Sequence, residues 1–183
     1  MASLHFKYSA MNSGKSSTLL QIAYNYEELG MKVKLFTFAG DNRYGVGKIS
    51  SRIGLQRDAD LFDADTNFVE LVAGRNYDCI LIDEAQFMTE DNACQLCTIV
   101  DELNIPVMCF GLRTDFKGNL FPGSGILLGF ADHIEEIKNM CHCGKKATMN
   151  MRVDEHGNKV TEGPQVEIGG NDRYVAVCRK HFR

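Results

Sequence analysis

The sequence predicts an α/β protein built on a mostly parallel sheet, and three observations carry that expectation. Strand-like apolar runs at 4–8, 32–38, 79–82 and 106–110 alternate with helix-periodic segments. Two of those runs, Cys79-Ile80-Leu81-Ile82 and Pro106-Val107-Met108-Cys109-Phe110, are apolar throughout, as in strands covered on both faces. A small-residue loop over 9–14 follows the first strand directly and leads into an amphipathic helix.

That helix is expected from Lys15 to about Leu29, with Leu19, Leu20, Ile22, Ala23 and Tyr26 on its apolar stripe and Gly30 as its stop. The region from Gly40 to Asp65 is polar and weakly patterned, which reads as loop with a short helix. Residues 67–73 suit a further short helix, and Thr89 is placed to cap one running to about Leu103. Near Met140 the chain turns polar, Gly-rich and marked by Cys/His pairs. The expected division is therefore a nucleotide-binding α/β domain at 1–138 and a small zinc-binding domain at 139–183.

Composition narrows the function. The 183 residues suffice for one well-buried domain, and a formal net charge of −4 without a dense Lys/Arg run argues against a nucleic-acid partner. No stretch approaches the ~20 apolar residues of a membrane span. The N-terminal residues lack the basic start and apolar core of a secretory signal. Seven cysteines, an odd number, point to reduced thiols in the cytoplasm and to a metal site.

Ser9-Ala10-Met11-Asn12-Ser13-Gly14-Lys15-Ser16 matches the phosphate-loop pattern G-x-x-x-x-G-K-[ST], except that Ser9 replaces the first glycine. Loop amides and the helix N-terminus would face phosphate, Lys15 would neutralise β/γ charge, and the Ser16 hydroxyl would ligate Mg²⁺. The substitution bears only on the entry turn, whose backbone must suit a residue with a Cβ. A polar turn capping a helix is the plainer reading of Gly-Lys-Ser alone, and the strand before it and helix after it favour phosphate. After the buried run, Asp83 is suited to hold Mg²⁺ and Glu84 to take a proton from an attacking hydroxyl, with Gln86 and Phe87 in reach. Acidic residues complementing a helix dipole are the alternative.

Cys141 and Cys143 form one ligand pair and Cys178 and His181 another, 34 residues later, a pattern suited to a closed structural Zn²⁺. His142 competes as a ligand within the tight first pair. Cys94 and Cys97 mimic a metal pair but share one face of an expected helix, so core packing is favoured. Cys79 and Cys109, within strands, are expected to be inert, and His5, His133 and His156 to be structural or solvated.

These motifs, with Asp41-Asn42-Arg43-Tyr44-Gly45, Ile82-Asp83-Glu84-Ala85-Gln86-Phe87, Gly111-Leu112-Arg113-Thr114-Asp115-Phe116 and Gly169-Gly170-Asn171-Asp172-Arg173-Tyr174, form an ordered series over nearly the whole chain. The series resembles the zinc-containing thymidine kinases (type II, cytosolic and bacterial), in their enteric-type bacterial branch. The resemblance implies a P-loop NTPase-like (RecA-like) sheet with a zinc-stapled lasso, and transfer of the ATP γ-phosphate to the 5′-hydroxyl of thymidine or deoxyuridine. It implies Glu84 as general base, Lys15 and Arg43 at the transferring phosphoryl group, and nucleotide contacts from residues 9–16 and from Asp83, Glu84, Ala85 and Gln86. It further implies an apolar base slot from Met11, Phe87, Leu112, Phe116 and Phe121, with Tyr174 helping to hold the nucleoside. Main-chain groups near Gln165, Val166, Glu167, Ile168 and Gly169 would read the pyrimidine edge. A homotetramer and feedback inhibition by thymidine triphosphate are implied as well. Ala85 stands where the family often has Gly, and only two residues follow His181, so tail-borne regulation is not expected.

A partner-coupled P-loop NTPase with a structural zinc, such as a GTPase, is the alternative. Guanine selection usually needs Asn-Lys-x-Asp, and the nearest string, Asn158-Lys159-Val160, lacks the carboxylate. A zinc-stabilised nucleic-acid module is the third class, opposed by the acidic balance.

Overall fold

A computed structural model describes residues 1–40, 47–166 and 173–183. Arg43 and the rest of its motif, and Glu167, Ile168 and Gly169, lie outside the described residues. Six parallel strands form the main sheet: β1 (Leu4–Ser9), β2 (Val33–Phe38), β5 (Asp60–Phe62), β6 (Cys79–Ile82), β7 (Val107–Leu112) and β8 (His133–Ile137). Their spatial order is β5-β2-β6-β7-β1-β8. The central β6 is buried at all four positions, the burial that its unbroken apolar run predicts.

One layer of core lies between the sheet and α1 (Lys15–Glu28), where Leu19, Leu20 and Ala23 pack on Leu35, Leu81 and Phe110. The other face carries α3 (Glu90–Asp101) and α4 (Pro122–Phe130), with Leu96, Ile99, Val100 and Leu127 against Phe36, Ile80 and Ile82. Thr89 caps α3 through a reciprocal box, since its hydroxyl accepts from the Asn92 amide at 3.1 Å while Asn92 Oδ1 accepts from the Thr89 amide. Gly30 ends α1 with φ +76° and its amide on the Glu27 carbonyl. The short helix α2 spans Phe68–Val72.

Three features depart from the sequence reading. The described part of Gly40–Asp65 contains no helix. It forms a hairpin of β3 (Lys48–Ser50) and β4 (Gln56–Asp58), followed by the edge strand β5. These three-residue strands are too short for a period to register, and tertiary burial of Ile49 holds the hairpin on α1's side of the sheet. Helix α4 carries no clear sequence signal, because three glycines in nine residues mask helix propensity, and neither does β8, an edge strand exposed at its first three positions. Cys94 is exposed, since α3 buries the face carrying Ala93, Leu96, Ile99 and Val100, whereas Cys97 is half-buried and packs against that core as expected.

One of those α4 glycines has a packing reason. A Cβ on Gly123 would stand 2.6 Å from the Gln86 carbonyl oxygen and 2.7 Å from that of Ala85. Gly123→Ala is therefore expected to push α4 off the turn at 85–87 and destabilise the fold by ~1–3 kcal/mol. Thermal unfolding checks this, and an unchanged midpoint would show that the helix can shift without cost.

Beyond β8, among the described residues, the strands pair among themselves, β9 (Asn139–Met140) with β10 (Lys146–Ala147) and β11 (Met149–Val153) with β12 (Arg173–Val177). The chain closes on the one-turn helix α5 (Arg179–Phe182). Among the described residues, no helix is long and apolar enough to cross a membrane.

Candidate active site

The phosphate loop leaves β1 at Ser9 and enters α1 at Lys15. Ser9 is buried and is not among the residues with positive φ; Asn12 (φ 62°) and Gly14 (φ 81°) take the left-handed positions instead. The turn is thus made by Gly14 and by Asn12, a residue that tolerates this region. Gly14 is the N-cap of α1 and has no side chain to satisfy the helix's first amides, which leaves them suited to an anion.

At the end of β6, Asp83 and Glu84 meet Lys15. Lys15 Nζ donates to Asp83 Oδ1 and, at 3.3 Å, to Glu84 Oε1, while the Ser16 hydroxyl donates to Asp83 Oδ2 at 3.0 Å. Burial alone would lower the Lys15 pKa. The two carboxylates, Asp83 before Glu84, override it and hold the ammonium well above its ordinary value. Lys15 is therefore a permanent cation at the mouth of the loop.

Glu84 is 7% exposed and its backbone is left-handed, φ 55° and ψ 37°. For a residue with a Cβ this costs ~1–2 kcal/mol. The Asp83 carboxylate stabilises it by accepting the Glu84 amide at 2.9 Å. Gln86 then fixes the side chain, donating to Glu84 Oε2 at 2.6 Å and accepting from the Leu112 amide at 3.2 Å. Gly111 makes room for this link, because a Cβ there would lie 2.9 Å from both Gln86 N and Oε1.

Two cavities flank this group. One, of about 320 Å³, is lined by Ala10–Ser17, Ser50–Ile53, Glu84 and Leu112. The other, of about 300 Å³, is walled by Met11, Phe38, Phe87, Leu112, Phe116 and Phe121, with Gln165, Val166 and Tyr174 along its edge. Glu84, Met11 and Leu112 line both. Phe87 packs between Phe38 and Phe121, at ring-centroid distances of 4.6 and 5.6 Å. Ser9, Asp83 and Ala85 line neither cavity; Asp83 reaches the first through Lys15 and Ser16.

Several contributors escaped the sequence reading. Asn150 Oδ1 accepts from the Met11 amide at 2.7 Å, and its Nδ2 donates to the Thr114 carbonyl at 2.8 Å. Asn139 Nδ2 donates to the Met11 and Asn12 carbonyls, both at 3.1 Å. Asn139 and Asn150 thus grip the phosphate loop from the C-terminal part of the chain. Asp115 lines the second cavity, takes the Gln165 amide at 3.1 Å, and accepts the Lys117 and Asn119 backbone amides at 2.9 Å. Phe38 and the Ser50–Ile53 hairpin tip also came without a local signal, being brought in by strand pairing, whereas Thr114 and Asp115 belong to the motif at 111–116, which by itself assigns them no role.

The ligand atoms of Cys141, Cys143, Cys178 and His181 all lie within 4.8 Å of one another. Cys143 and Cys178 sulfurs are 3.8 Å apart, and His181 Nδ1 is 3.5 Å from Cys141 Sγ and 3.4 Å from Cys178 Sγ. Tetrahedral Zn–S and Zn–N bonds of ~2.3 and ~2.0 Å would set those edges at ~3.8 and ~3.5 Å, so the donor set fits zinc. His142 is outside this group, its ring lying against that of His181. Cys79 and Cys109 are buried, and burial raises both thiols, Cys79 to about 11, in keeping with inert core residues.

Compared with known proteins, residues 2–182 match the family described as thymidine kinase. The chain belongs to the thymidine kinase family. The thymidine kinase of Vibrio vulnificus (strain YJ016) is 57% identical over 187 residues, covering 100% of this chain and 97% of that protein. That of Vibrio cholerae serotype O1 is 56% identical with the same coverage. The Yersinia pseudotuberculosis serotype I thymidine kinase is 54% identical, covering 100% of this chain and 95% of its own. The enteric-type resemblance read from the motifs agrees with these relatives. Thymidine kinase family membership implies ATP as phosphoryl donor, and neither the comparisons nor the site favours the partner-coupled NTPase.

Proposed function

We propose that this chain transfers the γ-phosphate of ATP to the 5′-hydroxyl of thymidine, and of deoxyuridine, giving the nucleoside monophosphate in deoxynucleoside salvage. The observation that supports it best is Glu84 lining both the phosphate-loop cavity and the aromatic slot. A phosphoryl donor in the first and a nucleoside in the second would meet at its carboxylate.

Phosphoryl transfer asks mainly for positioning and charge neutralisation. Lys15 and the amides of residues 9–16 would hold the β- and γ-phosphates, with Arg43 against the transferring group. Ser16 and Asp83 would hold Mg²⁺, which would supply charge neutralisation at the phosphates. The Glu84 carboxylate, with Oε2 held by Gln86 and Oε1 3.3 Å from Lys15 Nζ, would take the hydroxyl proton as the new P–O bond forms and ADP leaves. The base would lie in the slot of Met11, Phe87, Leu112, Phe116 and Phe121. Backbone groups at Gln165–Gly169 would read the pyrimidine edge, and Tyr174 would help close the site against water.

The Cys141, Cys143, Cys178 and His181 cluster would hold a structural zinc that ties both ends of this loop, dividing the chain into a nucleotide-binding body at 1–138 and a zinc unit at 139–183. Homotetramer formation, feedback inhibition by thymidine triphosphate and a cytoplasmic location complete the proposal on family resemblance.

ADP release from Mg·ATP, measured with each deoxynucleoside separately, tests the function. Turnover with thymidine and deoxyuridine, and almost none without nucleoside, is expected. Hydrolysis indifferent to every nucleoside would overturn it. Sedimentation and titration with thymidine triphosphate in the same preparation check the assembly and the inhibitor.

A further inference from the structure

Arg152 is a charged side chain with 0% exposure in β11, and it belongs to none of the motifs above. Its guanidinium carbon lies 3.7 Å from the centroid of the Phe116 ring and 5.2 Å from that of Tyr174, its cross-strand partner. Nε and Nη2 donate to the Tyr174 hydroxyl at 3.1 and 2.6 Å, and Nη2 donates to the Pro164 carbonyl at 2.9 Å. Gly163 is fitted to this cation, since a Cβ there would stand 3.2 Å from Nη1.

Arg152 does not itself line the aromatic slot, whereas Phe116, Tyr174 and Gln165 do. Three residues that engage this cation, Phe116 and Tyr174 through their rings and Gln165 through a carbonyl 3.4 Å from Nη2, are therefore components of one wall of that slot. Burying a charge is costly unless it is fully engaged, and an apolar residue of similar size often packs as well. What an apolar residue lacks is the planar fork that stacks on one ring, bonds the hydroxyl of another and holds a loop carbonyl together.

We propose that Arg152 is a positioning residue of the nucleoside slot. It fastens the Phe116 ring, the Tyr174 ring and the chain at Pro164 into one wall, and so sets capture of the nucleoside without taking part in phosphoryl transfer. The inference rests on the reading that this slot receives the nucleoside.

The test is steady-state kinetics of the full chain carrying Arg152→Met, Arg152→Lys and Tyr174→Phe, with zinc content and circular dichroism as controls. A desolvated cation–π contact with charge-assisted bonds predicts a thymidine KM raised about tenfold or more in Arg152→Met. The ATP KM is expected to stay within about twofold, because no phosphate contact is altered. Arg152→Lys keeps the charge but loses the fork, so it should not restore thymidine KM. Tyr174→Phe keeps the ring and removes only the hydroxyl, and its effect should not add to that of Arg152→Lys, since the two report one contact. An unchanged thymidine KM in Arg152→Met overturns the inference, as do equal changes in both KM values. Should Arg152→Met fail to fold, additive effects of Tyr174→Phe and Arg152→Lys overturn it. Wild-type protein that ignores thymidine would instead overturn the nucleoside reading itself.

Discussion

Glu84→Gln is expected to lower thymidine turnover by about 10²–10⁴-fold, the usual worth of a positioned general base. The substitution is nearly isosteric. The amide oxygen can still accept from Gln86, and the Lys15–Asp83 pair and the loop amides remain in place. ATP binding should therefore persist, and losing one negative charge beside Lys15 should favour the polyphosphate if it changes affinity at all. What the amide cannot do is accept the hydroxyl proton. Single-turnover ADP formation measured beside ATP titration separates the two effects. Near-normal turnover would show that Glu84 is not the base, while loss of ATP binding would show that it mainly shapes the phosphate site.

Removing zinc should have a comparably large effect by a different route. Among the described residues, the hydrophobic cluster around the four donors fully buries Cys141, Ala147, Val177 and Cys178, with Met149, Met151, Val175, Ala176 and Phe182 partly buried against it, and β9 and β10 are two residues each. So little apolar burial does not offset the entropy of ordering such a segment, and a structural zinc site would supply the difference. Cys178→Ser, or chelation of the wild type, is expected to release zinc and to expose the chain beyond residue 138 to protease. Thymidine turnover should fall by about two orders of magnitude, in line with mispositioning a substrate-holding element. ATP affinity should weaken as well, because Asn139 and Asn150 in this unit hold the Met11 and Asn12 backbone of the phosphate loop. Zinc content, limited proteolysis and both KM values check it. A zinc-free protein with intact proteolytic resistance and turnover would overturn the structural assignment.

The parts legible from sequence share a property: their chemistry is contiguous. Residues 9–16 form one loop, Asp83-Glu84 sits at the end of one apolar run, and the zinc donors fall into two short pairs. Strand burial at 79–82 and 107–110 was legible because unbroken apolar runs have few other places to go. The glycine-rich α4 and the three-residue strands of the hairpin carry no readable period. Exposure of Cys94 turned on which face of α3 the sheet covers, and that choice is made by packing, not by spacing.

By itself, then, the sequence determined the α/β class, the loop between β1 and α1, the acidic pair and the four Cys/His residues that the fold gathers into one cluster. Tertiary structure alone decided how those parts act on one another. It set Glu84 in a left-handed turn between two cavities, clamped the loop with Asn150 from 139 residues away, and stacked a buried Arg152 on Phe116. Contacts across such separations leave no local pattern, because they arise only when the sheet brings distant strands side by side.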